Sequence, residues 1–199
     1  MAESDDLPAP WPEVFSLMWE AYVAGSVPVG AVVADETGKV VSRGRNRIFD
    51  DEPNEHLSRS RLAHAELNAM VSLSSEQTYE GFALYTTLEP CHLCLSAALS
   101  IQMGRLWFAA DDPYGGAVGK LLPSAAHEAH PAMKIEGPLA DTPGRLPELL
   151  HLSHHLWRMP SANMVAFYQR TRPDLVEVAR TLPAPDSGAS LAEAFSALN

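Results

Sequence analysis

Apolar side chains recur along the chain with two periods, which separate the predicted helices from the predicted strands. Pro12 to Ala24 carries apolar residues at helical spacing, with a proline suited to a first turn, and predicts a helix. Val27 to Ala34 is short and rich in β-branched residues, which is typical of a strand. Lys39 to Ile48 is its predicted antiparallel neighbour, and Asp35 to Gly38 is the hairpin turn between them.

The later segments alternate between the same two periods. The predicted helices are Ala63–Leu73, Pro90–Met103 and Pro147–Met159, the predicted strands are Phe82–Leu88, Arg105–Ala110 and Met133–Leu139, and the predicted loops are Phe49–Leu62 and the Gly-rich Asp111–Gly119. Because a helix joins the third and fourth strands, these two strands should form a right-handed parallel pair. We therefore predict an α/β fold with three layers, α/β/α, around a mixed five-stranded sheet.

The C-terminal part of the chain has a weaker pattern. Asn163 to Tyr168 is compatible with a helix, and Thr181 to Gly188 contains the Pro, Ser and Gly of a linker. Ser190 opens a capping-box pattern before a short terminal helix. We divide the chain into one domain at residues 1–160 and a C-terminal extension at 161–199, which docks on the domain, docks on a partner subunit or is loose.

Composition places the chain among ordinary globular proteins, with 46% hydrophobic and 20% charged residues. No apolar run approaches the roughly 18–20 residues of a membrane span, and the acidic, Pro-rich N-terminus does not resemble a signal peptide. We therefore expect a cytoplasmic protein with no membrane partner.

The formal net charge is −11, which favours a small neutral substrate because proteins that bind nucleic acid are usually basic. Five arginines nevertheless fall within one short stretch: Arg43, Arg45, Arg47, Arg59 and Arg61. This stretch is either a solvated strand end and loop or an anion-contacting rim near a functional site.

The candidate chemistry lies in two short motifs, His64-Ala65-Glu66 and Pro90-Cys91-His92-Leu93-Cys94. Cys91 and Cys94, the chain's two cysteines, are three residues apart at a predicted helix start, so both sulfurs can face one ion. The positive potential of a helix N-terminus favours their thiolate forms. With His64 as third ligand, zinc keeps a fourth position for water, whose pKa it lowers to about 7.

Glu66 has a natural place in such a site. Two residues after His64, it can lie beside the zinc water and shuttle protons to a substrate. The alternatives are a redox cysteine pair, two buried thiols, or a structural zinc site with His92 or His56 as fourth ligand. A structural site leaves Glu66 unexplained.

The combined pattern H-x-E…P-C-x-x-C is that of zinc deaminases, and the sequence resembles the cytidine deaminase-like superfamily. It looks most like the branch of bacterial tRNA adenosine deaminases and guanine deaminases. The similarity runs from about Trp19 to Trp157. The matching stretches are residues 27–32, 44–47, 64–66, 84–94, 104–108 and 111–119.

The resemblance implies zinc ligands at His64, Cys91 and Cys94, and a proton shuttle at Glu66 that serves a zinc-bound hydroxide. It also implies a homodimer with the active site near the subunit interface, and parallel fourth and fifth strands. The loop before His64 is longer and richer in Arg than in the tRNA enzymes, and the tail after Trp157 has no counterpart.

The resemblance also implies substrate contacts. Asn46 matches an Asn that hydrogen-bonds the substrate, Val29 falls in the segment that lines the base pocket, and Asp112 matches an Asp that contacts the neighbouring nucleotide in tRNA-acting members. Tyr114, in the Gly-rich loop, could stack on a base or cap the pocket.

The remaining histidines and aromatic residues are interpreted without a functional role. They are His127 and His130 in a loop, His151, His154 and His155 on one predicted helix, and Trp107 and Phe108 in the fourth strand. We predict surface or packing positions for the histidines, although an i,i+4 pair can hold a metal, and core positions for the two aromatic residues.

The leading functional hypothesis is hydrolytic deamination of a nucleobase or nucleoside, favouring purines such as guanine, guanosine or adenine-type compounds. The first alternative is a tRNA adenosine-to-inosine deaminase, and the second is a cytosine- or cytidine-type deaminase. A hypothesis from another class is a zinc-bearing structural or nucleic-acid-binding module without catalysis.

Overall fold

The computed structural model describes residues 7–50, 57–120 and 132–198, and within them five strands form one mixed sheet of order β2-β1-β3-β4-β5. The strands are β1 (Gly30–Ala34), β2 (Val40–Arg45), β3 (Ala83–Leu88), β4 (Arg105–Ala110) and β5 (Lys134–Glu136). β1 pairs antiparallel with both β2 and β3, whereas β3–β4 and β4–β5 are parallel pairs. The predicted mixed sheet and its parallel half are confirmed.

Helices cover both faces of this sheet. They are α1 (Trp11–Val23), α2 (Ala65–Met70), α3 (His92–Ser100), α4 (Asp141–Arg158), α5 (Asn163–Thr171), α6 (Pro173–Thr181) and α7 (Leu191–Ser196). In the described part of the chain, no helix combines the length and apolarity that crossing a membrane requires.

The central strand β1 shows how the three layers arise. All five of its residues are buried, and successive side chains of a strand point to opposite faces. Val32 therefore joins the apolar cluster of α1 and the C-terminal helices, whereas Ala31 and Val33 join the cluster of α2 and α3. The predicted α/β/α architecture is confirmed.

A close approach at Gly44 places the start of α2 directly on β2. A Cβ atom at this position would lie 2.2 Å from the carbonyl oxygen of Ala65, far inside van der Waals contact. Only glycine permits this close approach, which sets the distance between the first turn of α2 and the edge strand β2.

Helix α4 begins at Asp141, so the prediction that it starts at Pro147 is wrong. Pro147 lies inside the helix, where its ring costs one backbone hydrogen bond. The apolar side chains around it, Leu146, Leu149 and Leu150, are at most 1% exposed. The burial of these side chains stabilises the helix on both sides of Pro147 and offsets the cost of the proline.

The residues after 160 pack on the same core as α1 and α4. Phe195 of α7 is 1% exposed and its ring centroid lies 5.4 Å from that of Phe15. The Tyr22 hydroxyl donates a 2.7 Å hydrogen bond to the Pro183 carbonyl. The capping box at Ser190 is confirmed, since its hydroxyl accepts from the Glu193 N–H and its own N–H donates to that side chain. Helix α6 was not predicted.

Truncating Phe195 to Ala should lower the free energy of unfolding by about 3–5 kcal/mol, because it opens a cavity under α7. Urea unfolding of the purified protein measures this loss. Val23→Ala is the matched control, since Val23 is 52% exposed and its truncation should cost no more than about 0.5 kcal/mol. Equal stability of both variants would show that α7 does not pack on Phe15 in solution.

His154 is a packing residue, as predicted, and is 0% exposed. Its ring nitrogen Nε2 donates to the Gly25 carbonyl at 3.2 Å, and Nδ1 has no hydrogen-bond partner within the described ranges. Burial lowers the pKa of His154 to about 4, with positive charge at His155 and Arg158 adding to the effect. The folded protein therefore holds this ring neutral.

Stability should fall as the pH drops from about 6.5 towards 4, because the unfolded chain binds a proton at His154 that the folded chain excludes. The full loss for this group is about 3 kcal/mol. His154→Gln, which keeps a donor for Gly25, should flatten the pH dependence over this range. Urea unfolding at pH 7, 5.5 and 4 gives the difference, and parallel curves for the two proteins would contradict the prediction.

Candidate active site

The two predicted motifs come together where α2 and α3 begin. His64 is the N-cap residue of α2 and Glu66 lies in its first turn. Cys91 is the N-cap residue of α3, with extended backbone angles, and Cys94 follows in the first turn. Pro90 therefore precedes the cap rather than opening the helix, so the predicted start of α3 was two residues early.

The spacing of three donor atoms fits a tetrahedral zinc ion. The Cys91 and Cys94 sulfurs are 3.7 Å apart, and His64 Nδ1 lies 3.7 Å from the first and 3.4 Å from the second. Zinc bonds of about 2.3 Å to sulfur and 2.0–2.1 Å to nitrogen give tetrahedral edges of about 3.8 Å and 3.6 Å. The donor set and its geometry both match zinc.

Three donors, rather than four, make up this group in the described ranges. His92, an alternative fourth ligand, is exposed and lies outside the group; His56 falls outside the described residues, as do His127 and His130. A tetrahedral ion with three protein ligands keeps a position open, which distinguishes catalytic from structural zinc sites.

The electrostatics of the group couple the protonation of its three donors: the pKa of the Cys91 thiol is lowered, whereas those of the Cys94 thiol and of His64 are raised. Hydrogen bonding to Cys94, with a further hydrogen bond to His64, lowers the pKa of the Cys91 thiol to about 3. The same contact with Cys91 raises the pKa of His64. Cys91 is therefore ready as a thiolate, the form in which cysteine binds metals.

Glu66 is buried beside this group. It is 4% exposed, and its Oε2 lies 3.4 Å from the Cys94 sulfur. Burial raises the pKa of this carboxyl group. A carboxyl group held here, without being one of the three donors, is positioned to exchange protons with whatever occupies the adjoining space.

That space is a cavity of about 210 Å³. Its walls are formed by Val27, Val29, Asn46, Ile48, His64, Glu66, Leu88, Glu89, Cys91, Asp112, His151 and His155. The structure thus brings three of the four predicted substrate contacts, Val29, Asn46 and Asp112, to the cavity that His64 and Cys91 also line.

Two hydrogen bonds fix the orientation of the Asn46 side chain, which is 3% exposed. Its Oδ1 accepts from the Ser26 hydroxyl at 2.9 Å and from the Ile48 N–H at 3.1 Å. Because Oδ1 is turned towards these donors, Nδ2 stands on the other side of the amide. Asn46 can therefore offer a donor to a ligand.

Asp112 and Glu89 shape the Gly-rich loop. Asp112 Oδ1 accepts from the Tyr114 and Gly115 N–H groups, and the Glu89 carboxylate accepts from the N–H groups of Asp112 and Val118. Sequence analysis did not single out Glu89, although its place between the end of β3 and Pro-Cys was visible. Its role depends on a loop more than twenty residues away in the chain.

Tyr114 does not reach the cavity wall. Its side chain is 47% exposed, and its ring centroid lies 5.6 Å from that of Phe167 on α5. The predicted stacking of Tyr114 on a base stays a prediction, and the packing on Phe167 does not support it.

His151 and His155 line the cavity, a position that the sequence analysis did not predict for them. Their i,i+4 spacing on α4 was visible in the sequence, but the face they occupy depends on how α4 crosses the sheet. The ring centroids are 4.6 Å apart at 84°. They belong to no group of three metal donors within the described residues.

The arginine-rich stretch is largely engaged in ion pairs. Arg45 forms a bidentate pair with Asp50 at 2.9 and 2.8 Å, Arg47 approaches the same carboxylate at 3.3 Å, and Arg43 pairs with Glu13. Because these arginines already face carboxylates, the contacts favour the interpretation of the arginine-rich stretch as a strand end and loop. They weigh against an anion-contacting rim.

Comparison with known proteins agrees with the fold and the site. Residues 12–110 match the model of the cytidine and deoxycytidylate deaminase zinc-binding region. The tRNA-specific adenosine deaminase of Bacillus subtilis is 34% identical over 126 residues, which cover 60% of this chain and 73% of that protein. The chain therefore belongs to the cytidine deaminase-like superfamily of zinc-dependent deaminases.

Other relatives are matched over smaller parts of their length. The chain spans 56% of the tRNA-specific adenosine deaminase of Haemophilus influenzae, at 36% identity, and 19% of the tRNA(Ile)-lysidine synthase of Deinococcus deserti, at 37%. The aligned parts cover 50% and 54% of this chain.

Two solved structures share the fold. A tRNA:A34 deaminase superposes with a TM-score of 0.51 at 27% identity, covering 67% of this chain and 94% of that one. The guanine deaminase of Nitrosomonas europaea superposes with a TM-score of 0.50 at 24% identity, covering 73% and 86%.

Proposed function

We propose that this protein hydrolytically deaminates a nucleobase or nucleoside, with purines favoured. The observation that carries the proposal is the buried Glu66 carboxyl group, which opens on the same cavity as His64 and Cys91. A structural zinc site has no use for a buried carboxyl group that is not a ligand. A deaminase needs one.

The residues divide the chemistry between them. His64, Cys91 and Cys94 would hold zinc, which would supply a Lewis acid that lowers the pKa of water to about 7. Glu66 accepts a proton from the attacking water and delivers it to the ring nitrogen next to the reacting carbon. It then helps to protonate the exocyclic amine, which leaves as ammonia while the carbon–oxygen bond remains.

The cavity fits a single base. Its volume of about 210 Å³ lies below the roughly 300–1,000 Å³ of pockets for drug-sized ligands. Within the described residues that line it, there is no Lys or Arg to meet a phosphate group. Together with the net charge of −11, this favours an uncharged base or nucleoside.

Ammonia release from a panel of free bases and nucleosides tests the proposal. The zinc-loaded protein is incubated with aminopurines and aminopyrimidines, and Glu66→Gln serves as the inactive control. We expect turnover of at least one purine. Silence across the panel from protein with full zinc occupancy would exclude this function.

Deamination of adenosine in tRNA is the alternative, supported by the relatives named tRNA-specific adenosine deaminase. The ion pairs of Arg43, Arg45 and Arg47 weigh against it, because those side chains already face carboxylates. Inosine in tRNA, formed at a rate that falls steeply with salt, would support it. No binding of tRNA at low salt would exclude it.

A cytosine- or cytidine-type substrate is the second alternative, since the same zinc geometry attacks C4 of cytosine or C6 of adenine. The aminopyrimidines in the panel distinguish it.

We also propose that the protein is a homodimer, as the family resemblance implies. Exposed apolar side chains at Leu62, Val71 and Leu93, on or beside α2 and α3, support an interface there. Sedimentation equilibrium should give twice the chain mass, and a monomer at micromolar concentration would contradict the proposal.

A further inference from the structure

On the part of the cavity wall that α4 forms, one hydrogen bond determines which ring nitrogen of His155 donates and which accepts. His155 Nδ1 lies 2.9 Å from the carbonyl oxygen of His151. A carbonyl oxygen only accepts, so Nδ1 of His155 must carry the proton. A neutral imidazole has one donor and one acceptor nitrogen. Nε2 of His155 is therefore an acceptor.

Two further features keep the His155 ring neutral and fix its position. Burial lowers the pKa of His155, which keeps the ring neutral near pH 7. The His151 ring packs perpendicular to it, with centroids 4.6 Å apart. Both rings are half-buried on the cavity wall, so neither is free to rotate as an exposed side chain would be.

The acidic side chains of the wall are fixed by contacts within the protein. The carboxylates of Glu89 and Asp112 accept four backbone N–H groups of the Gly-rich loop. Glu66 lies against the Cys94 sulfur and serves the reacting water. The His155 acceptor is available to the part of the ligand that does not react.

We propose that His155 determines substrate specificity by accepting a hydrogen bond from a ring N–H of the base, with His151 holding the acceptor in place. This inference rests on the proposed function and names the substrate class more narrowly: a base with a ring N–H besides its reacting amine. A site built around a buried hydrogen bond rejects analogues that lack the matching group far more strongly than an apolar pocket does.

Bases that differ by one ring N–H test the proposal. The probes are guanine with its 1-methyl and 9-methyl derivatives, and adenine with its 9-methyl derivative. For the zinc-loaded wild-type protein, we expect one of these methylations to lower kcat/KM by at least about 100-fold. In His155→Ala, which removes the acceptor and leaves room for the methyl group, the same methylation should change kcat/KM by less than about threefold.

Two further variants separate recognition from packing. His155→Gln places an amide oxygen near the position of Nε2 and should recover most of the discrimination, while Arg145→Gln, exposed on the same helix, should behave as wild type. Zinc content is measured for every variant. If the wild type turns over bases but methylation has the same effect in His155→Ala, the proposal is overturned while the proposed function stands. If the wild type turns over nucleosides but no free base, the proposal for His155 falls while the proposed function stands. If it turns over neither, both fall.

Discussion

Glu66→Gln should reduce kcat by about 10⁴-fold, towards the upper end of what one general acid–base group contributes. The amide has the same shape as the carboxyl group but accepts no proton from water and delivers none to the base. Both proton transfers assigned to Glu66 are therefore lost. Steady-state ammonia release on the best purine of the panel measures the effect.

Zinc content and stability should survive the Glu66→Gln substitution. Glu66 is not one of the three metal donors, and exchanging a buried ionisable group for a neutral one removes its desolvation cost. Glu76→Gln, on an exposed loop, is the matched control and should retain full activity. Activity of Glu66→Gln within tenfold of wild type, or loss of zinc from it, would remove Glu66 from its assigned role.

Cys94→Ser should abolish zinc binding and activity together. Cys94 is 0% exposed, and its sulfur lies within 4 Å of the other two donor atoms. Even the loss of an outer partner of a zinc ligand costs about 10–100-fold in metal affinity, so the loss of a ligand should exceed about 100-fold. Competition with a fluorescent chelator gives the affinity, and metal analysis gives the zinc per chain.

The control for Cys94→Ser is Ser100→Ala at the exposed end of the same helix, which should keep one zinc per chain. Circular dichroism establishes whether the variant still folds without metal. Full zinc occupancy at unchanged affinity in Cys94→Ser would show that the ion is held elsewhere.

The sequence was sufficient to predict the sheet and the metal donors because both depend on local pattern. β4 was predicted at its exact bounds, since its apolar run is flanked by Gly104 and Asp111. His64, Cys91 and Cys94 lie at the starts of two helices, and short sequence motifs predict both starts. Their approach in space then follows from the order of the strands.

The errors have a common cause in packing between distant parts of the chain. Pro147 carries the local signal of a helix start, yet burial of its neighbours extends α4 back to Asp141. His151 and His155 were visible as an i,i+4 pair, but only the path of α4 over the sheet decides that they meet the cavity. β5 ends at Glu136, where a Gly-Pro step interrupts the strand that its apolar pattern would continue.

The cavity is assembled from two stretches of chain that lie far apart in the sequence. The metal donors and Glu66 lie within residues 12–110, which the family model matches, whereas the histidine wall comes from α4, beyond that limit. A segment ending near residue 110 would keep the metal donors and Glu66 and lose the histidines of α4 to which we assign recognition of the base. Under the proposal for His155, substitutions on this face of α4 would change the choice of base while the metal donors and Glu66 stay in place.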